Sequence, residues 1–163
     1  MDKKIVIKLH NFALNNKIVY NFIKFIINIS AYIFFIIFGI TTAILAIYND
    51  EKTFRFFFVT VFIIFFNMLI RKLIGRKRPF DVLKINSIVS HKSAGSFPSN
   101  HSASAMAIGL AFFYINHTYG IIIFIMAVIT GVSRVFAGLH YLSDVLAGFF
   151  VGIFWGYIGF FCI

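Results

Sequence analysis

Three short stretches, far apart in the chain, hold the residue types that phosphate chemistry needs. The first is Arg71-Lys72-Leu73-Ile74-Gly75-Arg76-Lys77-Arg78-Pro79. Guanidinium forks grip phosphate oxygens bidentately and keep their charge at any physiological pH. Arg71 and Arg78 are seven residues apart, two helical turns, so a helix running on to Pro79 would aim both the same way. The second is Gly95-Ser96-Phe97-Pro98-Ser99-Asn100-His101-Ser102. A serine that opens a helix after proline supplies a cap, and the free N–H groups of that first turn attract an anion. Ser99 can cap or donate to a phosphate oxygen, and His101 stands where it can deliver a proton. The third runs from Ser133-Arg134 to His140-Tyr141-Leu142-Ser143-Asp144. His140 and Asp144 are four apart and share one face if the last helix begins near His140. A carboxylate on one imidazole nitrogen fixes the tautomer and leaves the other lone pair free to attack.

Each stretch has an ordinary alternative. The first reads as a basic loop beside a membrane span, the second as a plain helix cap with an interfacial histidine, and the third as a buried ion pair. Their joint content is harder to explain that way. Arg71, Arg78 and Arg134 can balance oxyanions, His140 oriented by Asp144 can act as nucleophile, and His101 can protonate a leaving oxygen. If one imidazole must be neutral and the other protonated, the rate should be bell-shaped about the ordinary imidazole value of roughly 6.5.

These groups must be positioned by membrane helices. The chain has 163 residues, 61% hydrophobic and 12% charged, and its mean hydropathy is +0.94, beyond what a water-soluble domain tolerates. The net charge of +10 would suit a nucleic-acid partner, but 24 phenylalanines set in long apolar runs exclude that class. Cys162 is the lone cysteine, so neither an internal disulfide nor a cysteine-built metal site is available. With about 20 apolar residues per span, the expected fold is an all-α, polytopic transmembrane bundle. It has about five spanning helices, forms a single domain over residues 1–163, and carries its chemistry within 71–144.

The expected spans are 26–48, 53–70, 101–116, 119–137 and 141–163. Residues 1–18 scatter lysines among short apolar groups and read as an interfacial segment, not a signal peptide. The 101–116 helix covers only about 24 Å of a hydrocarbon core roughly 30 Å thick, so its polar start should lie at or just below the membrane surface. Gly148, Gly152 and Gly156 recur every four residues and suit close helix packing, within the chain or, as the lesser reading, in a homodimer.

Pro98-Ser99-Asn100-His101, Ser133-Arg134 with His140 and Asp144, and Arg78-Pro79 preceded by Arg71 together resemble the type 2 phosphatidic acid phosphatase superfamily. Its pattern is Lys-x6-Arg-Pro, Pro-Ser-x-His and Ser-Arg-x5-His-x3-Asp. This chain departs from it at Arg71, where lysine is usual and Lys72 lies adjacent, and at Asn100, where glycine is commonest. The resemblance implies that His140 forms a phosphohistidine, that Asp144 orients it, and that His101 protonates the leaving group and then activates water. It implies a phosphate cradle of Arg71, Lys72, Arg78, Ser99, Asn100 and Arg134, and no metal or other cofactor. Asp81 and Asp144 are the only acids beyond residue 51, in keeping with that.

Within the superfamily, the small core and the Ser-Phe-Pro-Ser-x-His wording are most similar to bacterial undecaprenyl-diphosphate phosphatases, which recycle the lipid carrier of cell-wall synthesis. The implied partners are a lipid phosphate or diphosphate and membrane lipids. Rival readings are a phosphatidylglycerophosphate or phosphatidate phosphatase, a zinc hydrolase using His140, Asp144 and His101, and a non-catalytic transporter or scaffold that binds anionic head groups. Orientation is contested. The expected catalytic face carries 13 cations, Lys92 among them, and the other face only Lys52 and Arg55. The positive-inside rule would turn the catalytic face to the cytoplasm, whereas the resemblance implies an extracytoplasmic site in the cell membrane.

Overall fold

A computed structural model describes residues 1–91 and 95–162; Lys92, counted above, lies outside the described residues. Among the described residues, seven α-helices follow in order: α1 (Asp2–Asn15), α2 (Lys17–Ile47), α3 (Lys52–Ile74), α4 (Pro79–Leu83), α5 (Asn100–Ile115), α6 (His117–Phe136) and α7 (Leu142–Tyr157). A π-helical turn, Ile158–Cys162, continues α7. Among the described residues, four segments are long and apolar enough to cross a membrane: α2, α3 with α4, α6, and α7 with its turn. The chain is a polytopic helical membrane bundle, and its outer surface confirms the solvent for which it is built. Phe35, Phe54, Phe150 and Ile125 are all more than half exposed, a surface that only lipid covers at no cost.

The fifth expected span, α5, is short and central. Its 16 residues are rich in alanine, serine and glycine, and ten of them are buried. Small side chains let α3, α6 and α7 approach its backbone closely, so α5 faces protein where the others face lipid. The glycines of α7 meet it directly. A Cβ built on Gly148 would stand 2.6 Å from the Ser99 carbonyl oxygen, and one on Gly152 2.6 Å from that of Ala103. Gly156 packs on Leu110 in the same way. The Gly148, Gly152 and Gly156 stripe therefore packs against α5 within the chain, the first of the two readings its spacing allowed.

Boundaries shift for identifiable reasons. α2 begins at Lys17, nine residues before the expected Ile26, because Asn16 caps it by accepting from the Ile18 and Val19 N–H groups at 3.1 and 3.2 Å. Its 31 residues cover about 46 Å, so its lysine-bearing first turns rise beyond the hydrocarbon. α3 continues past Ile70 to Ile74 and stops at Gly75, whose φ of 59° is left-handed, an ordinary helix end for glycine. The expected continuous helix from Arg71 to Pro79 does not form. Arg78 is extended and Pro79 starts a new short helix. α1 is neither free nor purely interfacial: Val6, His10 and Ala13 are buried against the bundle.

Candidate active site

The site is assembled where α3 ends, α5 begins, and α6 passes into α7. Backbone hydrogen bonds tie these ends together. The Ser99 N–H donates to the Asp144 carbonyl at 2.9 Å, joining the start of α5 to the first turn of α7. The Ser96 N–H donates to the Arg76 carbonyl at 2.7 Å, joining the segment before α5 to the loop after α3. The His140 and Leu139 N–H groups both donate to the Arg134 carbonyl, at 3.3 and 3.1 Å. The turn at Gly138, with φ 74°, is one that only glycine adopts without strain, and it folds His140 back over the end of α6.

His140 and Asp144 meet, although not on one helix. α7 starts at Leu142 with Tyr141 as its cap, so His140 belongs to the preceding loop. Its Nδ1 lies 3.5 Å from Asp144 Oδ2, a long approach, and no closer partner satisfies that buried nitrogen. Asp144 is fully buried. Its Oδ2 accepts from the Tyr141 N–H at 2.8 Å and its Oδ1 from Arg76 Nη1 at 2.7 Å.

The arginines close in from three elements. Arg78 is buried and donates from Nη1 to the Leu139 carbonyl at 3.2 Å, beside the His140 loop. Arg71, half-buried, donates from Nε to the Gly95 carbonyl. Although the helix between them breaks, these two guanidiniums still interact electrostatically with each other and with Asp144; the loop through Gly75 does the work expected of helical periodicity. Arg134, buried near the end of α6, donates from Nη2 to Ser30 Oγ at 3.2 Å and to the Ile27 carbonyl at 3.4 Å. Its Nε–H has no partner.

The α5 residues complete the cluster. Ser99 is buried and caps α5, its Oγ accepting from the Ser102 N–H at 3.4 Å and the Ser102 hydroxyl at 2.9 Å. His101, the second residue of α5, interacts electrostatically with Arg134, His140, His91 and Arg71. The Asn100 Oδ1 accepts from Asn67 Nδ2, which leaves the Asn100 amide N–H groups available to another acceptor. Lys72 is exposed and borders an outer groove with Arg71, Gly95 and Asn100, so the structure keeps it at the rim of the buried cluster and turns Arg71 inward. Among the described residues, no three His, Cys, Asp or Glu side chains group as a metal site, and His140, Asp144 and His101 do not make one.

Sequence reasoning missed Asp2, Ser30, Asn67, Arg76 and Ser143. Asn67 carried a usable signal, a lone carboxamide in a phenylalanine-rich span, which is costly without a partner. Ser30 and Asp2 carried none, because each matters only through a helix brought beside it by the fold.

A cavity of about 410 Å³ adjoins the cluster. His101, Asn100 and Ser104 line one part, and apolar side chains including Phe34, Phe38, Val61 and Ile108 line the rest. Phe35, 77% exposed, also borders it, so the cavity opens toward the lipid-facing surface beside α2.

The chain matches the family model "PAP2 superfamily" over residues 52–163. It is 35% identical over 94 residues to the undecaprenyl-diphosphatase BcrC of Bacillus subtilis, covering 58% of this chain and 49% of that protein. It is 34% identical over 98 residues to phosphatidylglycerophosphatase B of the same organism, covering 53% and 46%. A lipid A 1-phosphatase of Rhizobium johnstonii is 34% identical over 101 residues, covering 59% and 41%. The chain thus spans about half the length of these relatives or less. The fold is shared with the crystal structure of a PAP2-type phosphatidylglycerolphosphate phosphatase from Bacillus subtilis, at a TM-score of 0.80 and 24% identity over 97% of this chain and 82% of that one. It is shared also with Aquifex aeolicus LpxE, at 0.74 and 23% over 94% and 93%.

Proposed function

Since the chain belongs to the PAP2 superfamily, we propose that it is a metal-independent lipid phosphatase of the cell membrane that removes the terminal phosphate of an isoprenyl diphosphate such as undecaprenyl diphosphate. The observation that carries this reading is the gathering of His140, Asp144, His101 and three arginines at one end of the bundle, beside an apolar cavity that opens toward lipid. The cavity favours a substrate with a hydrocarbon tail over a soluble phosphate ester.

In this reading the terminal phosphate sits among Arg71, Arg78 and Arg134, with the Asn100 amide and the first-turn N–H groups of α5 completing the cradle. Lys72, at the rim, draws the anion in. Asp144 holds the proton on His140 Nδ1, so the Nε2 lone pair attacks phosphorus. The bond from phosphorus to the bridging oxygen breaks as His101 donates its proton to that oxygen, releasing lipid monophosphate and leaving phosphohistidine at His140. His101, now neutral, takes a proton from water as the water oxygen attacks phosphorus. The P–N bond breaks, inorganic phosphate leaves, and both imidazoles return to their starting states.

Purified protein should release phosphate from undecaprenyl diphosphate faster than from phosphatidylglycerophosphate or phosphatidate, with undiminished rate in chelator. Preference for phosphatidylglycerophosphate would transfer the assignment to that lipid, a reading supported by the near-equal identity to phosphatidylglycerophosphatase B. Loss of activity in chelator would overturn the metal-independent chemistry. No release from any lipid phosphate would leave the non-catalytic scaffold.

The catalytic face is proposed to be extracytoplasmic. Arg71, Arg76, Arg78 and Arg134 are engaged within the site, so the cation excess on this face is partly functional and overstates the positive-inside signal. In a Cys162→Ser background, a cysteine at exposed Lys77 should react with a membrane-impermeant maleimide in intact cells. Labelling only after permeabilisation would place the site in the cytoplasm.

A further inference from the structure

Arg76 lies between the two arginines of the first block, and nothing in the phosphate chemistry calls for it. Its guanidinium nonetheless makes three side-chain hydrogen bonds. Nη1 donates to Asp144 Oδ1 and to Ser143 Oγ, each at 2.7 Å, and Nη2 donates to Asp2 Oδ2 at 3.1 Å. Its face lies over the Tyr141 ring, 4.0 Å from guanidinium carbon to centroid. Asp2 reaches the same turn, accepting at Oδ1 from the Ser143 N–H at 3.3 Å and at Oδ2 from the Ser143 hydroxyl. Burial alone would raise the Asp2 carboxyl; the bonds from Ser143 and Arg76 outweigh it and hold the group below the ordinary carboxylate value.

Resting on the reading of His140 as nucleophile, we propose that Arg76 is a positioning residue that fixes the Asp144 carboxylate against His140, and that Asp2 of α1 holds Arg76 in place. The physics follows from the two oxygens. Oδ1 is pinned by Arg76 and Oδ2 by the Tyr141 N–H, so the carboxylate cannot rotate, and Oδ2 presents its remaining acceptor capacity to His140 Nδ1. A fully buried carboxylate also needs a counter-charge, because an uncompensated one is costly. Arg76 supplies that charge from the side of Asp144 away from the imidazole, leaving the Oδ2 edge to His140.

α1 then serves as a brace behind the nucleophile loop. Val6 packs in one apolar cluster with Val135, Tyr141 and Val145. His10 Nδ1 is 2.9 Å from the Phe136 carbonyl, and its ring also lies beside Gly138. The helix that carries Asp2 is thereby seated against both ends of the loop that carries His140.

The test compares Arg76→Gln, Arg76→Lys, Asp2→Asn and the Asp2→Asn/Arg76→Gln double variant with wild type, with Lys77→Gln as a surface control. Arg76→Gln should lower kcat roughly 10- to 100-fold, the scale seen when a group orienting a functional side chain is lost, with KM changed by no more than about twofold. Arg76→Lys should recover part of that loss by reaching one oxygen. Asp2→Asn should lower kcat by about 3- to 10-fold and add nothing in the Arg76→Gln background.

A readout independent of turnover is the His140 Nδ1–H resonance in 15N-histidine-labelled protein in detergent. It should shift and exchange faster with water in Arg76→Gln and stay unchanged in Lys77→Gln. An unchanged resonance would end the proposal whatever the kinetics. A raised KM at unchanged kcat would make Arg76 a phosphate ligand, and additivity in the double variant would remove Asp2 from the device. Full activity in His140→Ala would instead overturn the functional reading, a result these variants do not mimic.

Discussion

Replacing His140 with alanine should lower kcat by on the order of 10⁴- to 10⁶-fold, the scale expected when a covalent nucleophile is lost, while KM moves little. The cradle arginines do not depend on the imidazole: Arg78 is held through the Leu139 carbonyl and Arg134 through Ser30 and Ile27. Alkaline quenching of the wild type during turnover of substrate labelled in its terminal phosphate should trap label on the protein, and the variant should trap none. His140→Gln keeps a polar side chain in this buried place and controls for collapse of the loop. Substantial turnover in either variant would mean that the phosphoryl group never passes through His140.

The same residue revises the expected pH profile. Burial is the main cause that pushes the His140 imidazole down, to about 4, only partly opposed by Asp144 and reinforced by Arg78 and Arg71. The free protein therefore keeps this imidazole, the proposed nucleophile, neutral at and well below neutral pH. The acid limb of kcat/KM that belongs to His140 should fall well below the value of roughly 6.5 anticipated from an unperturbed imidazole. The sign for stability follows: the unfolded chain takes up this proton near 6.5 and the folded one only near 4, so this group's contribution turns against the fold as pH drops through that window. An acid limb near 6.5 in the wild type, matched by a His140 ring resonance that titrates at the same pH, would contradict this.

Arg134→Lys should lower kcat/KM by roughly 10²- to 10³-fold, the scale for losing a preorganised donor to a developing oxyanion. The substitution keeps the charge, so the loss reports geometry. Arg134 spends Nη2 on Ser30 and the Ile27 carbonyl of α2, while its Nε–H is buried with no partner. A buried guanidinium N–H left unpaired is costly, and a bound phosphate oxygen would satisfy it. A lysine ammonium carries its donors on one nitrogen and cannot both reach the α2 acceptors and place a donor where Nε–H stands. Inhibition by inorganic phosphate should weaken in parallel, with little change in thermal unfolding in detergent. Activity within about threefold of wild type would reduce Arg134 to an anchor for α2.

Much of the candidate site was readable from residue order alone. Proline and serine before a helix specify a cap, and Ser99 forms it. His140 and Asp144 are close enough in the chain that any tight turn brings them together, which is why they meet even though the shared helix expected for them is absent. The pairing of Arg71 with Arg78 was anticipated for the wrong reason. Their spacing would align them only if the helix ran on to Pro79, and a left-handed glycine at position 75 with an extended Arg78 achieves the approach instead.

Membrane residence and helical class were determined by sequence, because long apolar runs admit one backbone solution in lipid, and the groups proposed to react could be named there because imidazole, carboxylate and guanidinium carry their chemistry wherever they are placed. Tertiary structure decided which partners those groups keep. Asp2 meets Arg76 across 74 positions and Arg76 meets Asp144 across 68, Ser30 meets Arg134 across 104, and Asn67 meets Asn100 across 33. Such contacts depend on how helices pack, and that packing is settled by small residues along α5 and α7, whose pattern records that two backbones can touch but not which distant side chains the touch will join.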